Sequence, residues 1–555
     1  MTFAEEHTHA VKLHHEELGD LGDGKLTFGG SQQVSAQLSM LNPLPHSEDK
    51  YPLGVVRAID DRGKHYALCG SVAYGDTIYA DYLIMGDVSD LQFDRVDIRY
   101  SDISEWFLQW RKIKGTVGET LTWERLPQDI DATFVDAGRQ FNLKTEYVGS
   151  LNHRGEDHVV HEHVEFSVRP ATGEITLDEA REKAMQLACL FSILIAHPIS
   201  IIDVCLRTTS QRFCRLYFPT FKPITRDLSN DRFLLKCFIQ KHFLDSQWQA
   251  ILQNYFLSAH RKVRWTRLAG MQRYDDFWEY KALGYVTLLD SYVTHHAGQQ
   301  EGGTVPPSSR KMNTLAAELK KCLPVLSGAA TTSILDTVSR IFSFRKGQSF
   351  SHNYQSTIKS ADPDVVKIIA ISDQDFKLIK KLRDNVAHGN ETGLDDDEFQ
   401  KIDVIVSRIE LLLTYWAFMD FGLSKMDFLK GLNNPFTRLR THTQIDAKHL
   451  ARVTGTAEFF QVSPQTFSAL SQKGAVAFAC FLEGPNREIV FSDHFMQIHR
   501  DWQNARRAGM FTADQIFGVS LDVVRSVNHI YIECGEETLE FHGTYVFNEA
   551  MLNQA

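Results

Sequence analysis

The chain has 555 residues and carries 59 Lys and Arg against 70 Asp and Glu, a formal net charge of −11 with histidine neutral. At 43% hydrophobic and 23% charged residues it has the composition of a folded multidomain protein, which excludes disordered and collagen-like chains. The acidic balance also excludes bulk attraction to nucleic acid, so any RNA or DNA has to be held by local basic patches.

The first residues, Met1–Glu17 (MTFAEEHTHAVKLHHEE), have neither a basic leader nor an apolar run, and no signal peptide is expected. The most apolar stretch, Leu187–Ala196 (LACLFSILIA), is about half a membrane span and reads as a buried helix. The eight cysteines never form C-x-x-C and mostly sit in apolar surroundings. That pattern predicts reduced, core-packed thiols in a cytoplasmic protein with no membrane association.

Up to about residue 170 the texture is β, with period-two segments such as Thr77–Ile84 parted by turns like Asp61-Arg62-Gly63. In His158–Val168, Val160, Val164 and Phe166 share one face, and His161, His163, Glu165 and Ser167 the other. A helix opened by Thr176 carries the apolar run and is expected to pack on this sheet. From about Asn230 to Met426 the pattern is helical, interrupted at Ala297–Ser309 (AGQQEGGTVPPSS). After Asn433-Asn434-Pro435 it mixes again, with β-like Ala475–Phe481, Glu488–Phe491 and His529–Cys534 and a helix near Phe495–Ala508. The expected fold class is α+β multidomain: a β-rich N-terminal domain (1–228), an all-α bundle (229–432) and a small α+β C-terminal domain (433–555).

Three signals carry little. Gly19–Leu26 (GDLGDGKL) nearly spells a phosphate-binding loop, but Leu26 stands where a magnesium-holding hydroxyl belongs and no helix pattern follows. It reads as a Gly/Asp turn. His153, His158, His161 and His163 lack a cysteine partner, and a solvated strand face explains their alternation as well as zinc does. The run Asp395-Asp396-Asp397-Glu398 opens a long apolar helix, where carboxylates complement the helix dipole. No metal or cofactor is expected.

The segment Ser372–Asn390 (SDQDFKLIKKLRDNVAHGN) carries the chemistry. Ser372 with Asp375 makes a capping box, Phe376, Ile379, Leu382 and Val386 form an apolar stripe, and Gly389-Asn390 is a stop. Arg383, Asp384, Asn385 and His388 crowd the last turns. Asp384 lies one turn below His388, where it can orient the imidazole. Attack of a ribose 2′-hydroxyl on its own phosphate needs a base, an acid at the leaving oxygen and a cation for the phosphorane. Histidine serves either proton step, and a guanidinium spans two phosphate oxygens. One helix supplies one histidine, so two copies across a two-fold axis would complete a composite site. The same residues also suit a plain helix end, with His388 as a capping cation and Arg383 bridged to Asp375 or Glu398.

Arg383-Asp384-Asn385-Val386-Ala387-His388-Gly389 resembles the signature of HEPN domains, many of which are metal-independent ribonucleases of toxin and antiviral systems. The resemblance covers roughly Asn230–Met426. A β-rich domain ahead of such a helical unit further resembles the ApeA type of anti-phage protein, by texture and domain order. The resemblance implies that Arg383 and His388 are catalytic, with Asp384 in the variable polar slot where the family more often carries Asn, and Asn385 beside it. It implies a homodimer or higher homo-oligomer that cuts host RNA, tRNA among the candidates, in abortive infection triggered by a phage product. The alternative is a non-catalytic scaffold that binds nucleotide or RNA and signals to a partner.

Three basic islands offer RNA contacts: Arg261, Lys262 and Arg264 with Trp265 as a stacking ring; Arg438 and Arg440, followed by Arg452; and Arg500, Arg506 and Arg507 on the C-terminal helix.

Overall fold

The computed structural model describes residues 3–39, 50–86, 91–108, 113–114, 116, 122–123, 129–210, 212–224, 233–274, 277–300, 314, 317–318, 321, 332, 334, 349–387, 390–473, 478–505 and 511–552. Packing divides the chain into two compact units, residues 1–362 with 371–443, and residues 363–370 with 444–555.

The first unit begins with six antiparallel strands: β1 (Glu6–His15), β2 (Gly19–Gly29), β3 (Gln32–Leu38), β4 (Tyr51–Asp60), β5 (His65–Tyr74) and β6 (Thr77–Ala80). The order β5-β4-β1-β2-β3-β6 returns to β5 through the β5–β6 pairing and closes a barrel. Strict alternation makes this possible: Val11 and Leu13, Leu26 and Phe28, Val34 and Ala36, and Val56 and Ala58 are all buried, while intervening residues face outward. The glycine-rich segment Gly19–Leu26 is therefore not the turn expected from its sequence. It lies in β2, whose register with β1 slips at Leu13/His14 opposite Gly22 at φ +94°, a bulge that bends the strand. At Gly24 a Cβ would stand 2.6 Å from Leu13 Cδ1 and 2.8 Å from the Gln37 carbonyl oxygen, so only glycine fits.

From β5 the sheet continues through β7 (Tyr82–Met85), and β8 (Phe93–Tyr100) lies farther along it. A separate two-stranded ribbon is made by β9 (Ile113–Lys114) and β10 (Thr122–Trp123). The remaining strands are β11 (Asp131–Asp136), β12 (Arg139–Arg154), β13 (Asp157–Pro170), β14 (Ile201–Thr208) and β15 (Phe213–Tyr217). They extend the order from β7 as β15-β14-β8-β13-β12-β11. In β13, Val164 and Phe166 are buried as the alternation predicts, but Val160 is exposed and Ser167 is buried.

Following α1 (Ile103–Leu108), helix α2 (Leu177–Ile195) is the expected apolar helix. The Thr176 side chain accepts from the Glu179 amide, the Glu179 carboxylate accepts from the Thr176 amide, and left-handed Ala196 ends the helix. It packs on the sheet, where the Tyr100 hydroxyl donates to the Ala184 carbonyl at 2.8 Å.

Helices then dominate. They are α3 (Phe233–Lys236), α4 (Trp248–Leu257), α5 (Thr266–Met271), α6 (Trp278–Gln300) and α7 (Phe350–Ser360), with a π-turn over Arg261–Trp265 leading into α5. Next come α8 (Pro363–Ile369), α9 (Asp373–Ala387), α10 (Asp396–Asp420), α11 (Lys425–Leu432) and α12 (Arg438–Thr441). Asp395 and Glu398 form the capping box that starts α10, a structural use for that acidic run. Residues 301–309 of the expected Gly/Pro/Ser loop and the 228/229 domain boundary lie outside the described residues.

The second unit, to which α8 belongs, is built around the sheet β16 (Glu458–Gln461), β19 (Val524–Cys534), β20 (Glu537–Asn548), β17 (Cys480–Glu483) and β18 (Ile489–Phe491), in that order. Helices α13 (Ala447–Thr454), α14 (Pro464–Gln472), α15 (Asp493–Asn504), α16 (Ala513–Phe517) and α17 (Glu549–Leu552) complete it. Among the described residues no helix is long and apolar enough to cross a membrane.

Candidate nucleic-acid interface

Helix α9 starts as its sequence dictates: the Asp375 amide donates to the Ser372 hydroxyl at 3.1 Å, and the Ser372 amide to the Asp375 carboxylate at 3.0 Å. Phe376, Ile379 and Leu382 bury the apolar stripe. Arg383, i+4 from Ile379 and i+7 from Phe376, lies at the edge of that stripe and remains one quarter exposed. Its Nη1 donates to Asp290 of α6 at 2.9 Å, its Nε and Nη2 donate to Asp384 Oδ1 at 3.1 and 3.0 Å, and its guanidinium lies 5.0 Å from the Phe350 ring centroid. It pairs with neither Asp375 nor Glu398, the partners considered from sequence. Asp375 instead meets Arg408 at 3.4 Å, and Glu398 meets Lys381 at 2.8 Å.

The other members of the motif have separate tasks. Asp384 Oδ1 accepts from Arg383, and whether Asp384 orients the His388 imidazole, as expected from sequence, lies outside the described residues. The Asn385 side-chain amide donates to the Thr392 carbonyl at 2.9 Å, and its own carbonyl accepts from the Asn390 amide at 3.0 Å. Asn385 thus tethers the chain that leaves the helix. His388 and Gly389 lie outside the described residues.

The basic islands separate into inside and outside. Arg261 is buried, with its Nη2 2.6 Å from Asp136 Oδ1 at the end of β11, and Lys183 of α2 holds the other carboxylate oxygen. Burial pushes the Asp136 carboxyl up, but the hydrogen bonds and charges of Lys183 and Arg261 outweigh it and hold the group below its ordinary value. Trp265 is fully buried and its Nε1 donates to Asp420. Neither Arg261 nor Trp265 presents a surface to RNA, which corrects the reading of that island. Arg264 is half-buried, with Nε on the Ser291 carbonyl at 3.1 Å and Nη1 3.3 Å from His260 Nδ1. Lys262 is exposed, 3.6 Å from Glu182. Arg500 is exposed on α15, whereas Arg506 and Arg507 lie outside the described residues.

Arg438 joins a feature with no sequence signal. It is paired with buried Glu410 and half-exposed to a cavity of about 610 Å³ that is also lined by Lys236, Gln272, Arg273, Lys281 and His442. Among the described residues no carboxylate lines it. Gln272 is 8% exposed, and among the described residues its side-chain amide has no hydrogen-bond partner. Arg440 is half-buried in α12.

Among the described residues His153, His161 and His163 belong to no group of three with metal-ligand spacing. His153 faces His158 across the β12–β13 hairpin, and His163 Nε2 lies 3.0 Å from Glu165. The His158 side chain lies outside the described residues.

Residues 23–255 match the family model ApeA N-terminal domain 1. The match runs from β2 into α4 and takes in the barrel and sheet apart from β1 and the start of β2. It supports an ApeA-like anti-phage protein. No curated protein matches the chain.

Proposed function

We propose that the chain is a metal-independent RNA endonuclease of an anti-phage abortive-infection system, with Arg383 and His388 as its catalytic residues. The observation that carries this reading is the position of Arg383. A guanidinium at the end of a capped helix, one quarter exposed, is oriented by Asp290, Asp384 and the Phe350 ring within about one turn of a histidine in the sequence. In the reaction a ribose 2′-oxygen attacks the adjacent phosphorus and the 5′-oxygen leaves. His388 of one copy takes the proton from the 2′-hydroxyl, and its symmetry mate protonates the leaving oxygen. Arg383 pairs with the phosphorane oxygens. The domain matching ApeA would sense infection and restrain the nuclease. The cavity beside Arg438, with Lys236, Arg273 and Lys281 in its lining, suits the backbone of a structured RNA such as tRNA.

Purified protein incubated with total RNA in chelator, beside Arg383→Ala and His388→Ala, tests the proposal. Chelator-resistant cutting that leaves cyclic phosphate ends and is lost in both variants is the expected result. Uncut RNA, even with phage extract present, would reject it. One observation favours the second reading, a non-cutting scaffold: both partners of Arg383 are carboxylates, so the cation is neutralised within its own chain.

A further inference from the structure

The second unit contains a cluster that neither the sequence motifs nor the proposed nuclease uses. His529 of β19 stands directly opposite His542 of β20, and Glu540, two residues before His542, points to the same face of the sheet. One ligand atom from each of the three residues lies within 4.8 Å of the others. His529 Nε2 is 2.6 Å from Glu540 Oε1, and His542 Nε2 is 3.6 Å from the same oxygen. The two imidazole centroids are 4.1 Å apart.

We infer that His529, Glu540 and His542 form a binding site for a divalent transition metal of the zinc class. Zinc bonds to imidazole nitrogen and carboxylate oxygen are about 2.0–2.2 Å, so tetrahedral ligands stand roughly 3.3 Å apart. The two distances to Glu540 bracket that spacing, and all three ligand atoms lie within 4.8 Å of one another, so side-chain rotation alone brings them onto one ion. Two imidazoles with one carboxylate favour zinc over magnesium or calcium, which take all-oxygen sets. Three protein ligands leave a fourth position for water or an added ligand.

The support is stiff on both sides. On the opposite face Ile530, Ile532 and Phe541 are buried in the core of the unit, which fixes the backbone of both strands. On the ligand face the Tyr531 hydroxyl donates to Glu540 Oε1 at 3.1 Å, and the Tyr531 ring stacks on Phe459 at 5.0 Å. A hydrogen bond that orients a ligating carboxylate is the outer-shell contact such sites use. His542 and Glu540 are exposed and His529 half-buried, so the metal can enter from solvent.

Full-length protein stripped with chelator and titrated with Zn²⁺ by calorimetry, and with Co²⁺ by visible absorption, tests the site. The expected result is one saturable equivalent with the absorption of four-coordinate Co²⁺. That equivalent is lost in His542→Ala and in Glu540→Gln and retained when His153, His161 and His163 are all replaced by alanine. Tyr531→Phe should weaken binding about tenfold. Two results would overturn the assignment: no saturable equivalent in the wild type, or an unchanged equivalent in both His542→Ala and Glu540→Gln. Because His542 is 69% exposed in its side chain, its variant is expected to melt like the wild type, so lost binding cannot be ascribed to unfolding.

Discussion

Arg383 Nη1 lies 2.9 Å from Asp290 Oδ2, so the cation that ends α9 is already answered by a carboxylate from α6. A phosphate can use this guanidinium fully only after it has displaced Asp290. A partly exposed pair of this kind is worth roughly 0.2–1 kcal/mol. Asp290→Asn is therefore expected to tighten binding of a short RNA by up to about fivefold, and the double variant with Arg383→Ala should lose that gain. Filter binding at one fixed salt concentration decides it. Identical affinity of wild type and Asp290→Asn would separate Arg383 from the phosphate.

Arg383→Lys distinguishes charge from shape. Lysine keeps the cation but cannot span two phosphate oxygens at once. Its cleavage rate should fall between the wild type and Arg383→Ala, the latter reduced by about 10²-fold or more, the scale of losing one transition-state donor. A lysine variant cutting at the full rate would show that a point charge suffices.

The cavity beside Arg438 makes its own demand. Lys281→Ala should weaken RNA binding and make the dependence of log affinity on log salt shallower by about one. An unchanged slope would remove the cavity from the RNA path. Arg261→Ala should leave the slope alone and show its effect in stability.

Stability should respond to acid through two buried groups. Burial, together with the charges of Arg264 and the neighbouring histidines, pushes His260 down from 6.5 to about 4. The unfolded chain takes up that proton below about pH 6.5, and the folded chain only near 4. Stability from this group is complete above the first value and is lost between the two. Urea midpoints at pH 7 and 4.5 should fall further for the wild type than for His260→Asn, and parallel falls would exclude His260 as the cause. Asp136 acts at lower pH. Its carboxyl is held below the ordinary 3.8, so its contribution survives above that value and disappears as pH drops through the folded value. At neutral pH Asp136→Ala leaves two buried cations without a partner and should cost about 3–5 kcal/mol, read as a lower thermal midpoint.

What the sequence disclosed was local. The start of α2 at Thr176, the Ser372/Asp375 capping box, the buried Phe376, Ile379 and Leu382 of α9 and most of the alternation within strands depend on residues a few positions apart, and these appear where expected. Closure of the barrel depends on β6 pairing with both β3 and β5, which no short window contains. The basic island at Arg261 misled for the same reason: its neutralising partner, Asp136, is 125 residues away, and Asp420, which accepts from the Trp265 indole, is 155 residues away. Asp290, the partner of Arg383, lies 93 residues before it and carries no motif. The His529–His542 pair is legible only once the register of two strands is known.

The Asp136 carboxylate, gripped by Lys183 and Arg261, also bears on how this chain can be taken apart. Its three members come from β11, α2 and the π-turn before α5, so sheet and helices share one buried electrostatic joint. A truncated chain that begins after the β-rich region keeps Arg261 but discards Asp136, Lys183 and the sheet and helix surfaces that cover them, leaving the guanidinium without its partner and the facing sides of α4 and α5 bare. A fragment of the helices alone that failed to cut RNA would therefore report a fold deprived of its counter-ion, and loss of activity on such truncation says nothing by itself about where the chemistry resides.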